Sequence, residues 1–424
     1  MKKYKKRVAD TILARKLEGA GAVLIEGAKW CGKTTTAEQT AKSIVYISDP
    51  EKSSQYLEMA EINPGQLLAG ANPRLLDEWQ LAPKLWDAVR FEVDHRGESG
   101  QFILTGSAVP PVTDAIRHTG TGRFSRLKMR PMSLFESGES TGDVSLEQLF
   151  AGCGEIAGEN RISFEELAFL VCRGGWPRAT EMRESVALDQ AFDYCDAVIN
   201  SDISRADGVS RDPARARKLM RSYARHQGAQ VANTAIKADM TASDGATIDD
   251  DTLYSYISAL KKIFVIEDME AWNPNLRSKT AIRSSDTKYF VDPSIAAAAL
   301  GLGPKDLMDD LKTFGLFFET MCVRDLRVYA DAIGGGVYHY RDASGLECDA
   351  VIHLRNGSYG LVEIKLGGDK LIAEAVKTLD KLEGKIDTTR MKKPAFKMVV
   401  TGTGDYSYRR KDGILIVPVG CLKN

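Results

Sequence analysis

Short apolar runs, separated by longer polar or amphipathic stretches, dominate the first third of the chain. The runs cover residues 22–25, 43–48, 74–79 and 102–107, and residues 122–129, which include three basic side chains, are interpreted as a fifth strand. Each is of strand length, and continuous apolar runs of this kind are typical of strands that are buried on both faces of a sheet. The pattern therefore predicts a parallel α/β sheet within residues 1–155, preceded by a helix through Leu13 and Leu17.

The middle of the chain has mostly helical periodicity. Its helix signals are a capping-box pattern at Ser163 and Glu166, strong helix formers at 218–225, and a helical repeat over 252–263 that follows Asp249. An apolar run at 264–268 then suggests a wing strand. Three helices followed by a strand predict a helical, winged-helix-like domain over residues 156–300.

The last part of the chain combines a helix-like segment with two strand-like segments. The helix covers residues 314–328, and the strands cover 345–352 and 359–365. We therefore expect a small mixed α/β domain over residues 301–424, and an α/β fold with three domains for the whole chain.

Composition and charge narrow the range of functions. With 424 residues and a formal net charge of -1, the chain has no overall field that would attract nucleic acid, so any such surface has to be a local patch. Its 7 cysteines are scattered without a C-x-x-C pair, which favours reduced thiols and a cytoplasmic location. No apolar run reaches membrane-spanning length, so we expect no membrane partner. The basic start, residues 2–7, is expected to be a solvated helix start, with phosphate contact as the alternative.

The clearest chemical signal is Gly-Ala-Lys-Trp-Cys-Gly-Lys-Thr at residues 27–34, a complete G-x-x-x-x-G-K-T phosphate-binding loop. It stands between a predicted strand and a predicted helix, as this motif requires. Lys33 is expected to reach the β- and γ-phosphates of ATP or GTP, and the Thr34 hydroxyl to hold Mg²⁺. A chance match on a glycine-rich turn is the alternative. The predicted nucleotide-binding residues are Gly27, Ala28, Lys29, Trp30, Cys31, Gly32, Lys33, Thr34 and Thr35.

Two further strand ends and an arginine just before the fifth predicted strand extend this prediction. Asp77 and Glu78 end an apolar run as in a Walker B strand, so Asp77 is expected to join the Mg²⁺ shell and Glu78 to polarise the attacking water. Thr105 or Ser107 is expected to sense the γ-phosphate, because the carboxyl ends of parallel strands face the ligand. Arg123 is a candidate transition-state arginine supplied by a neighbouring subunit. For Asp77 and Glu78 the alternative is an acidic strand end that faces solvent. For Thr105 and Ser107 it is an ordinary turn, and for Arg123 it is a solvated surface side chain.

These motifs resemble one prokaryotic group of AAA-type ATPases, whose members carry an AAA core followed by a domain of unknown function. The resemblance rests on residues 27–34, 75–80, 104–107, 122–123, 127–136, 174–177 and 288–292, and covers nearly the whole chain. It implies a parallel P-loop AAA-type core that binds ATP and Mg²⁺. It also implies a homo-oligomer in which one subunit places an arginine at the γ-phosphate of the next.

The carboxy-terminal strands carry a second motif, D-x13-E-x-K, formed by Asp349, Glu363 and Lys365. The pattern resembles the PD-(D/E)XK core of restriction-endonuclease-like folds. The resemblance implies that Asp349 and Glu363 bind Mg²⁺, that Lys365 orients the attacking water, and that Glu319 is a further acidic ligand. Cys348 departs from the family's proline. Because any exposed hairpin can supply this pattern, an ordinary hairpin is the alternative.

Strand parity tests this second motif. Glu363 and Lys365 share a sheet face because alternate residues of a strand point the same way. Asp349 joins them only if it lies opposite Glu363, which needs an odd-length loop. A three-residue loop Arg355-Asn356-Gly357, with Gly357 left-handed, meets this condition, whereas a two-residue Asn-Gly turn does not.

Two functions remain open from the sequence. The first is a Mg²⁺-dependent ATPase whose nucleotide state controls a carboxy-terminal nuclease-like domain that acts on DNA or RNA. The second is an ATP-driven switch or scaffold whose catalytically inactive carboxy-terminal domain only binds nucleic acid or protein. Basic residues at 211–225 are expected to form a solvated helix face, with a phosphate-tracking patch as the alternative.

Overall fold

The computed structural model describes residues 4–107, 120–153, 155–241, 248–273, 285–389 and 391–424. The strands within them are β1 (Ala22–Glu26), β2 (Ser43–Tyr46), β3 (Arg74–Asp77), β4 (Phe102–Gly106), β5 (Phe124–Lys128), β6 (Val144–Ser145), β7 (Gly158–Glu159), β8 (Gly335–Arg341), β9 (Glu347–Leu354), β10 (Tyr359–Lys365), β11 (Phe396–Thr401), β12 (Tyr406–Arg409), β13 (Leu415–Pro418) and β14 (Leu422–Lys423).

The helices of the same residues complete the fold. They are α1 (Val8–Gly19), α2 (Lys33–Glu38), α3 (Ser53–Ile62), α4 (Gly65–Leu68), α5 (Lys84–Arg96), α6 (Leu134–Ser137), α7 (Leu146–Phe150), α8 (Phe164–Arg173), α9 (Glu184–Ala197), α10 (Ile203–Arg205), α11 (Pro213–Arg225), α12 (Asn233–Thr241), α13 (Asp250–Lys262), α14 (Pro293–Leu300), α15 (Pro304–Asp309), α16 (Leu311–Ala332) and α17 (Asp369–Lys385). A π-helical turn, Val198–Asp202, follows α9. In this described part of the chain, no helix is long and apolar enough to cross a membrane.

The amino-terminal sheet is parallel, as the apolar runs predicted. Its described strands lie in the order β2-β3-β4-β1-β5, and each neighbouring pair is parallel. Val23, Leu75 and Ile103 are buried on one face of the sheet, and their neighbours Leu24, Leu76 and Leu104 are buried on the other, which explains why these strands are apolar on both faces. Because the strands are parallel, the loop after β1 lies at the same carboxyl edge of the sheet where β3 and β4 end.

The carboxy-terminal sheet has the described order β7-β12-β13-β11-β10-β9-β8. The chain runs from α16 into an antiparallel meander of β8, β9 and β10, and then through α17 into β11, which is parallel to β10. Helix α17 provides the crossover that two parallel neighbours require. The segment is therefore mixed α/β, with its longest helix first.

The β9–β10 hairpin has the three-residue loop, one of the two turns that the sequence left open. The Leu354 amide donates to the Ser358 carbonyl at 2.8 Å, and Gly357 has a left-handed φ of 81°. Ala350 pairs with Val362 in the antiparallel register. Asp349 therefore lies opposite Glu363, on the face that also carries Lys365.

Two predicted helix starts in the middle region are confirmed. Ser163 Oγ accepts a hydrogen bond from the Glu166 amide at 3.1 Å, and Asp249 Oδ1 accepts one from the Thr252 amide at 2.7 Å. The run at 264–268 was expected to be a strand, but its described pairing is an isolated antiparallel bridge between Ile266 and Phe290. A winged-helix assignment for this region stays a prediction.

One member of the predicted solvated basic run is buried. The Arg211 guanidinium donates to Asp207 Oδ1 at 2.7 Å, to the Ile203 carbonyl at 2.8 Å and to Ser255 Oγ at 2.9 Å. The side chain therefore joins α10 and the turn after it to α13 rather than facing solvent. Its charge is used inside the protein, because a buried cation needs ionic and hydrogen-bonding partners.

Strands on both sides of the predicted boundary at residue 155 pair with the carboxy-terminal region. Strand β6 pairs with β14, and β7 pairs with β12. The main hydrophobic core also continues through α1, α8, α11 and α16. The three predicted domains therefore share backbone pairing and packing.

Helix α16 organises this shared core through buried ion pairs. Arg324 Nη1 lies 2.8 Å from Asp292 Oδ2, and Arg324 Nη2 lies 2.7 Å from Asp325 Oδ1. Asp292 also accepts from the Gly175 amide, and Asp325 from the Leu134 amide. Three segments that carried the family resemblance, 127–136, 174–177 and 288–292, thus meet at Arg324. Removing one partner of such a buried pair typically costs about 3–5 kcal/mol.

Candidate functional site

The loop after β1 has the backbone shape of a phosphate-binding loop. Gly27, Trp30 and Gly32 have φ values of 156°, 64° and 98°. A Cβ on Gly27 would lie 2.0 Å from the Met129 carbonyl oxygen, so glycine alone fits there. Cys31 is buried behind the loop and its thiol donates to the same carbonyl at 3.5 Å. Thr35 is exposed on α2, so its side chain is not part of the group that gathers here.

Lys33, Thr34, Asp77 and Thr105 lie together at the carboxyl edge of the sheet. The buried Lys33 ammonium donates to the Gly27 and Ala28 carbonyls, each at 2.9 Å. Asp77 Oδ1 accepts from Thr34 Oγ1 at 2.7 Å and from Thr105 Oγ1 at 2.6 Å. The register that pairs Asp77 with Thr105 brings these two side chains together. The structure thus assembles four residues that the sequence had placed in three separate motifs.

Glu78 stands beside this group in an unusual backbone conformation. Its φ is 57° and its ψ is 42°, a left-handed geometry that costs energy in a residue with a Cβ and often occurs at functional sites. Its Oε2 accepts from Gln80 Nε2 and from Ser107 Oγ, the latter at 3.4 Å. The turn after β3 therefore aims the carboxylate towards the end of β4, where Ser107 lies.

The donor set suits a Mg²⁺–nucleotide complex. A hydroxyl and a carboxylate, Thr34 Oγ1 and Asp77 Oδ1, are 2.7 Å apart, and these hard oxygen ligands are the kind that Mg²⁺ prefers. Lys33 offers a buried ammonium whose present acceptors are neutral carbonyls. Mg²⁺ itself would be held mainly by Thr34 and Asp77, with phosphate oxygens and waters completing its shell.

The same loop contacts the middle region of the chain. Lys29 Nζ lies 2.5 Å from Asp202 Oδ1 at the end of the π-helical turn. The Trp30 ring packs edge-on against Tyr194 of α9, with centroids 5.6 Å apart, although 48% of Trp30 is exposed. Sequence reasoning missed Asp202 and Tyr194. Both lie 160 or more positions after the loop, and no local pattern marks either of them as its partner.

Arg7 is another residue that sequence reasoning misplaced. It was grouped with a solvated basic start, but it is buried and donates to the Cys31 carbonyl and to the Arg130 carbonyl, each at 2.8 Å. Its Nε lies 3.0 Å from Glu136 Oε1. Arg7 therefore fixes the back of the phosphate-binding loop to the segment after β5.

Arg123 is not brought to the nucleotide site of its own subunit. It precedes β5, and its carbonyl accepts from the Ala22 amide at the amino end of β1, so it lies at the sheet edge opposite the loop. Its exposed guanidinium pairs with Asp94 at 2.7 Å. The hydrogen bond from Arg123 lowers the pKa of the Asp94 carboxyl. A role in ATP hydrolysis would need a second subunit.

The predicted carboxy-terminal trio is assembled around one ammonium group. Lys365 Nζ lies 2.7 Å from Asp349 Oδ2 and 2.8 Å from Glu363 Oε2. Asp349 Oδ2 also accepts from the Ile364 amide at 2.7 Å. A groove of about 590 Å³ opens beside the trio, between α17 and the loop before β9. Lys381 and Lys385 of α17 line it.

Two carboxylates share one ammonium here, and the pKa values of Glu363 and Lys365 reflect this arrangement. Burial raises the pKa of Glu363 to about 8, the Asp349 charge adds to the shift, and Lys365 opposes it. Burial lowers the pKa of Lys365, but the two carboxylates outweigh it and the net pKa lies above the usual value. Glu363 Oε1 is buried and accepts no hydrogen bond. A buried oxygen without a partner is costly, and a divalent cation would suit it.

Glu319 is hydrogen-bonded to the middle region rather than to the trio. Its Oε1 accepts from the Tyr289 hydroxyl. Burial raises the pKa of Glu319 to about 8, with a further contribution from the Asp349 charge. No group of three or more His, Cys, Asp and Glu side chains within the described ranges could hold a metal ion. Glu319, Asp349 and Glu363 are therefore not gathered as the three-ligand set that the sequence suggested.

Three parts of the chain match protein-family models. Residues 20–137 match an AAA domain, residues 164–306 a domain of unknown function (DUF8612), and residues 314–422 a domain of unknown function (DUF4143). The first match supports an AAA-type ATPase core in the amino-terminal part. The other two assign no activity, so the nuclease-like resemblance stays a prediction.

Similar whole proteins come from mycobacteria. Uncharacterized protein Rv2008c of Mycobacterium tuberculosis and uncharacterized protein Mb2031c of Mycobacterium bovis are each 22% identical to this chain over 376 residues. The alignment covers 88% of this chain and 76% of each relative. The likeness therefore extends well beyond the AAA domain.

Similar solved structures are more distant. The Walker-type ATPase paby2304 of Pyrococcus abyssi has a TM-score of 0.42 at 15% identity, covering 70% of this chain and 96% of its own. The ORC2 protein of Aeropyrum pernix, in ADPNP–ADP complexes, has a TM-score of 0.30 at 15% identity, covering 71% and 92%. Likenesses of this size add no argument about the present sites.

Proposed function

We propose that the chain is a Mg²⁺-dependent ATPase whose nucleotide state controls a nuclease-like carboxylate–lysine site acting on DNA or RNA. The observation that carries the proposal is that the phosphate-binding loop is tied to the middle region by the Lys29–Asp202 and Trp30–Tyr194 contacts. That region also contacts Glu319, beside the second site, through Tyr289. Loop occupancy can therefore act on the second site through packed residues.

The ATPase half assigns a role to each assembled residue. Lys33 exchanges its two carbonyl acceptors for phosphate oxygens and offsets their charge. Thr34 and Asp77 would hold Mg²⁺, which would offset phosphate charge, and Thr105 keeps Asp77 oriented through its hydrogen bond. Glu78 orients and polarises the attacking water, with Ser107 beside it. Arg123 from a neighbouring subunit of a cytoplasmic homo-oligomer completes the site.

The nuclease half rests on the hairpin and on the chain order of the region. Helix α16, the β8–β9–β10 meander, α17 and the parallel β11 follow one another, an order that supports the resemblance to the PD-(D/E)XK core. Asp349 and Glu363 would hold a divalent cation, which polarises a phosphate oxygen and lowers the pKa of a bound water. Lys365 orients that water and offsets charge on the phosphate. In this proposal, residues 1–155, 156–300 and 301–424 are the ATP-binding, winged-helix-like and nuclease-like domains.

A cleavage assay on the full chain tests the proposal. Single- and double-stranded DNA and RNA are incubated with Mg²⁺ or Mn²⁺, without nucleotide, with ATP, and with a non-hydrolysable ATP analogue. We expect the wild type to cleave at a rate that depends on the nucleotide. Lys33→Ala should cleave at a rate that does not. Cleavage that persists undiminished in Lys365→Ala would point to a contaminant.

A binding-only switch is the second candidate. The observation that favours it is that Lys365 is already neutralised by two carboxylates, while no three-ligand metal group is found in the part of the chain that the structure describes. Nucleotide-dependent binding of nucleic acid or protein, with no cleavage under either metal, would select this candidate. The ATPase assignments are the same in both.

A further inference from the structure

Tyr289 holds the acidic side chain that would complete the carboxy-terminal site. Its hydroxyl donates to Glu319 Oε1, and the tyrosine is 1% exposed. The ring is fixed from its other side by Arg327, whose guanidinium carbon lies 5.7 Å from the ring centroid. Glu319 is thus engaged by the middle region rather than by Asp349 and Glu363.

A turn of the middle region closes over the same carboxylate. Gly228 has a φ of 68°, and a Cβ there would lie 2.9 Å from Glu319 Oε1. The turn is fastened to the Tyr289 segment, since the Gly228 amide donates to the Lys288 carbonyl and the Lys288 amide to the Ala229 carbonyl, both at 3.0 Å. Gln227 adds a bond to α16 through Thr320 at 3.3 Å. Glu319 is therefore covered by two segments that are joined to each other.

The segment that carries Tyr289 also reaches towards the phosphate-binding loop. Five residues further on, Ser294 Oγ accepts from Trp176 Nε1 at 2.9 Å. Trp176 packs on Tyr194 with centroids 4.4 Å apart, and Tyr194 packs on Trp30 of the loop. A short series of packed residues therefore connects the nucleotide loop with the residue that holds Glu319.

From this geometry we infer that the Tyr289–Glu319 contact is an autoinhibitory contact. It keeps Glu319 out of the metal-binding set, and a shift of the middle region releases Glu319 to join Asp349 and Glu363. The inference rests on the proposed function, because it describes how the nuclease-like site would be regulated. Contiguity alone does not establish coupling between two sites, so the contact needs a direct test.

The test is Mn²⁺ binding to the full chain without nucleotide, by calorimetry and by Mn²⁺ electron paramagnetic resonance. Tyr289→Phe removes the hydroxyl but keeps the ring. We expect it to tighten binding at the carboxy-terminal site by at least about tenfold, in line with the effect of residues that position metal ligands. Glu319→Gln in the Tyr289→Phe background should reverse the gain. Asp349→Asn identifies which bound Mn²⁺ belongs to this site.

Tyr223→Phe is the matched control. Tyr223 is also fully buried, and its hydroxyl likewise donates to a carboxylate, Asp268. We expect this variant to bind Mn²⁺ like the wild type. Equal affinity of Tyr289→Phe and wild type, with a site that Asp349→Asn abolishes, would overturn the autoinhibitory contact and leave the proposed function standing. Absence of an Asp349-dependent Mn²⁺ site in every variant would overturn the nuclease proposal itself.

Discussion

The two candidate sites use a buried lysine in opposite electrostatic settings. Lys33 donates to two neutral backbone carbonyls, so its positive charge is available to an incoming polyphosphate. Lys365 lies between two carboxyl groups, so its charge is already offset, and one negative charge is in excess only once Glu363, whose pKa is raised to about 8, has lost its proton. The first setting favours an anion, and the second favours a cation that displaces this proton. The same side chain thus serves different ligands because of what surrounds it, not because of the lysine itself.

Among variants that still bind ATP, the largest expected effect concerns Arg123. Only the nucleotide site is proposed to need a residue from a second subunit. Arg123→Ala should lower ATP turnover by ~10³–10⁵, the usual contribution of an arginine finger, and wild-type turnover per subunit should rise with protein concentration. Arg126→Ala is the control, since Arg126 is also exposed and pairs with Glu26 at 2.9 Å. Concentration-independent turnover by a proven monomer would disprove this role.

The next effect separates binding from chemistry within the nucleotide site. Lys33→Ala should weaken ATP binding and abolish turnover, because Lys33 offsets phosphate charge in both the ground state and the transition state. Glu78→Gln should still bind ATP but turn it over about 10²–10⁴ times more slowly, since only water activation is lost. Equilibrium binding measures the ATP affinity of each variant, and steady-state hydrolysis measures its rate of turnover. Wild-type turnover by Glu78→Gln would remove the Walker B assignment.

A smaller effect tests whether the sites are chemically independent. Lys365→Ala should reduce nucleic-acid cleavage by about 10²–10³, as loss of one preorganised electrostatic group does, and should leave ATP turnover unchanged. Lys397→Ala is the matched control, because Lys397 also contacts two carboxylates, Asp380 and Glu383, each at 2.7 Å. Adding Asp349→Ala to Lys365→Ala should cost little more, because both act on one transition state. Additive losses would argue against a single site.

The smallest effect is a pH dependence that only the carboxylate–lysine site should show. The Glu363 pKa is raised to about 8, so below that pH a cation has to displace a proton. Mn²⁺ affinity should therefore fall by about tenfold per pH unit below 8 and level off above it. Calorimetry in buffers of different ionisation enthalpy should count about one proton released at pH 7. Binding without proton release at pH 7 would contradict the charge arrangement.

Local sequence determined the parts of this protein that depend on neighbouring residues. The apolar runs predicted the parallel sheet, and the glycine spacing predicted the loop shape at Gly27 and Gly32. Strand parity showed that Asp349 faces Glu363 only with a three-residue loop at Arg355–Gly357, and the structure has this loop. In each case the prediction depends on side-chain periodicity or backbone sterics, and both are set by residues close together in the sequence.

Tertiary structure alone decided which distant groups meet. Arg7 was expected in solvent, yet it is buried behind the phosphate-binding loop, and Arg211 is likewise buried rather than on a solvated face. Asp202 binds Lys29, and Tyr289 binds Glu319, although nothing near either residue marks its partner. A buried charge or hydroxyl takes whichever partner the packed core brings within about 3 Å, and that choice depends on the whole fold rather than on any local pattern.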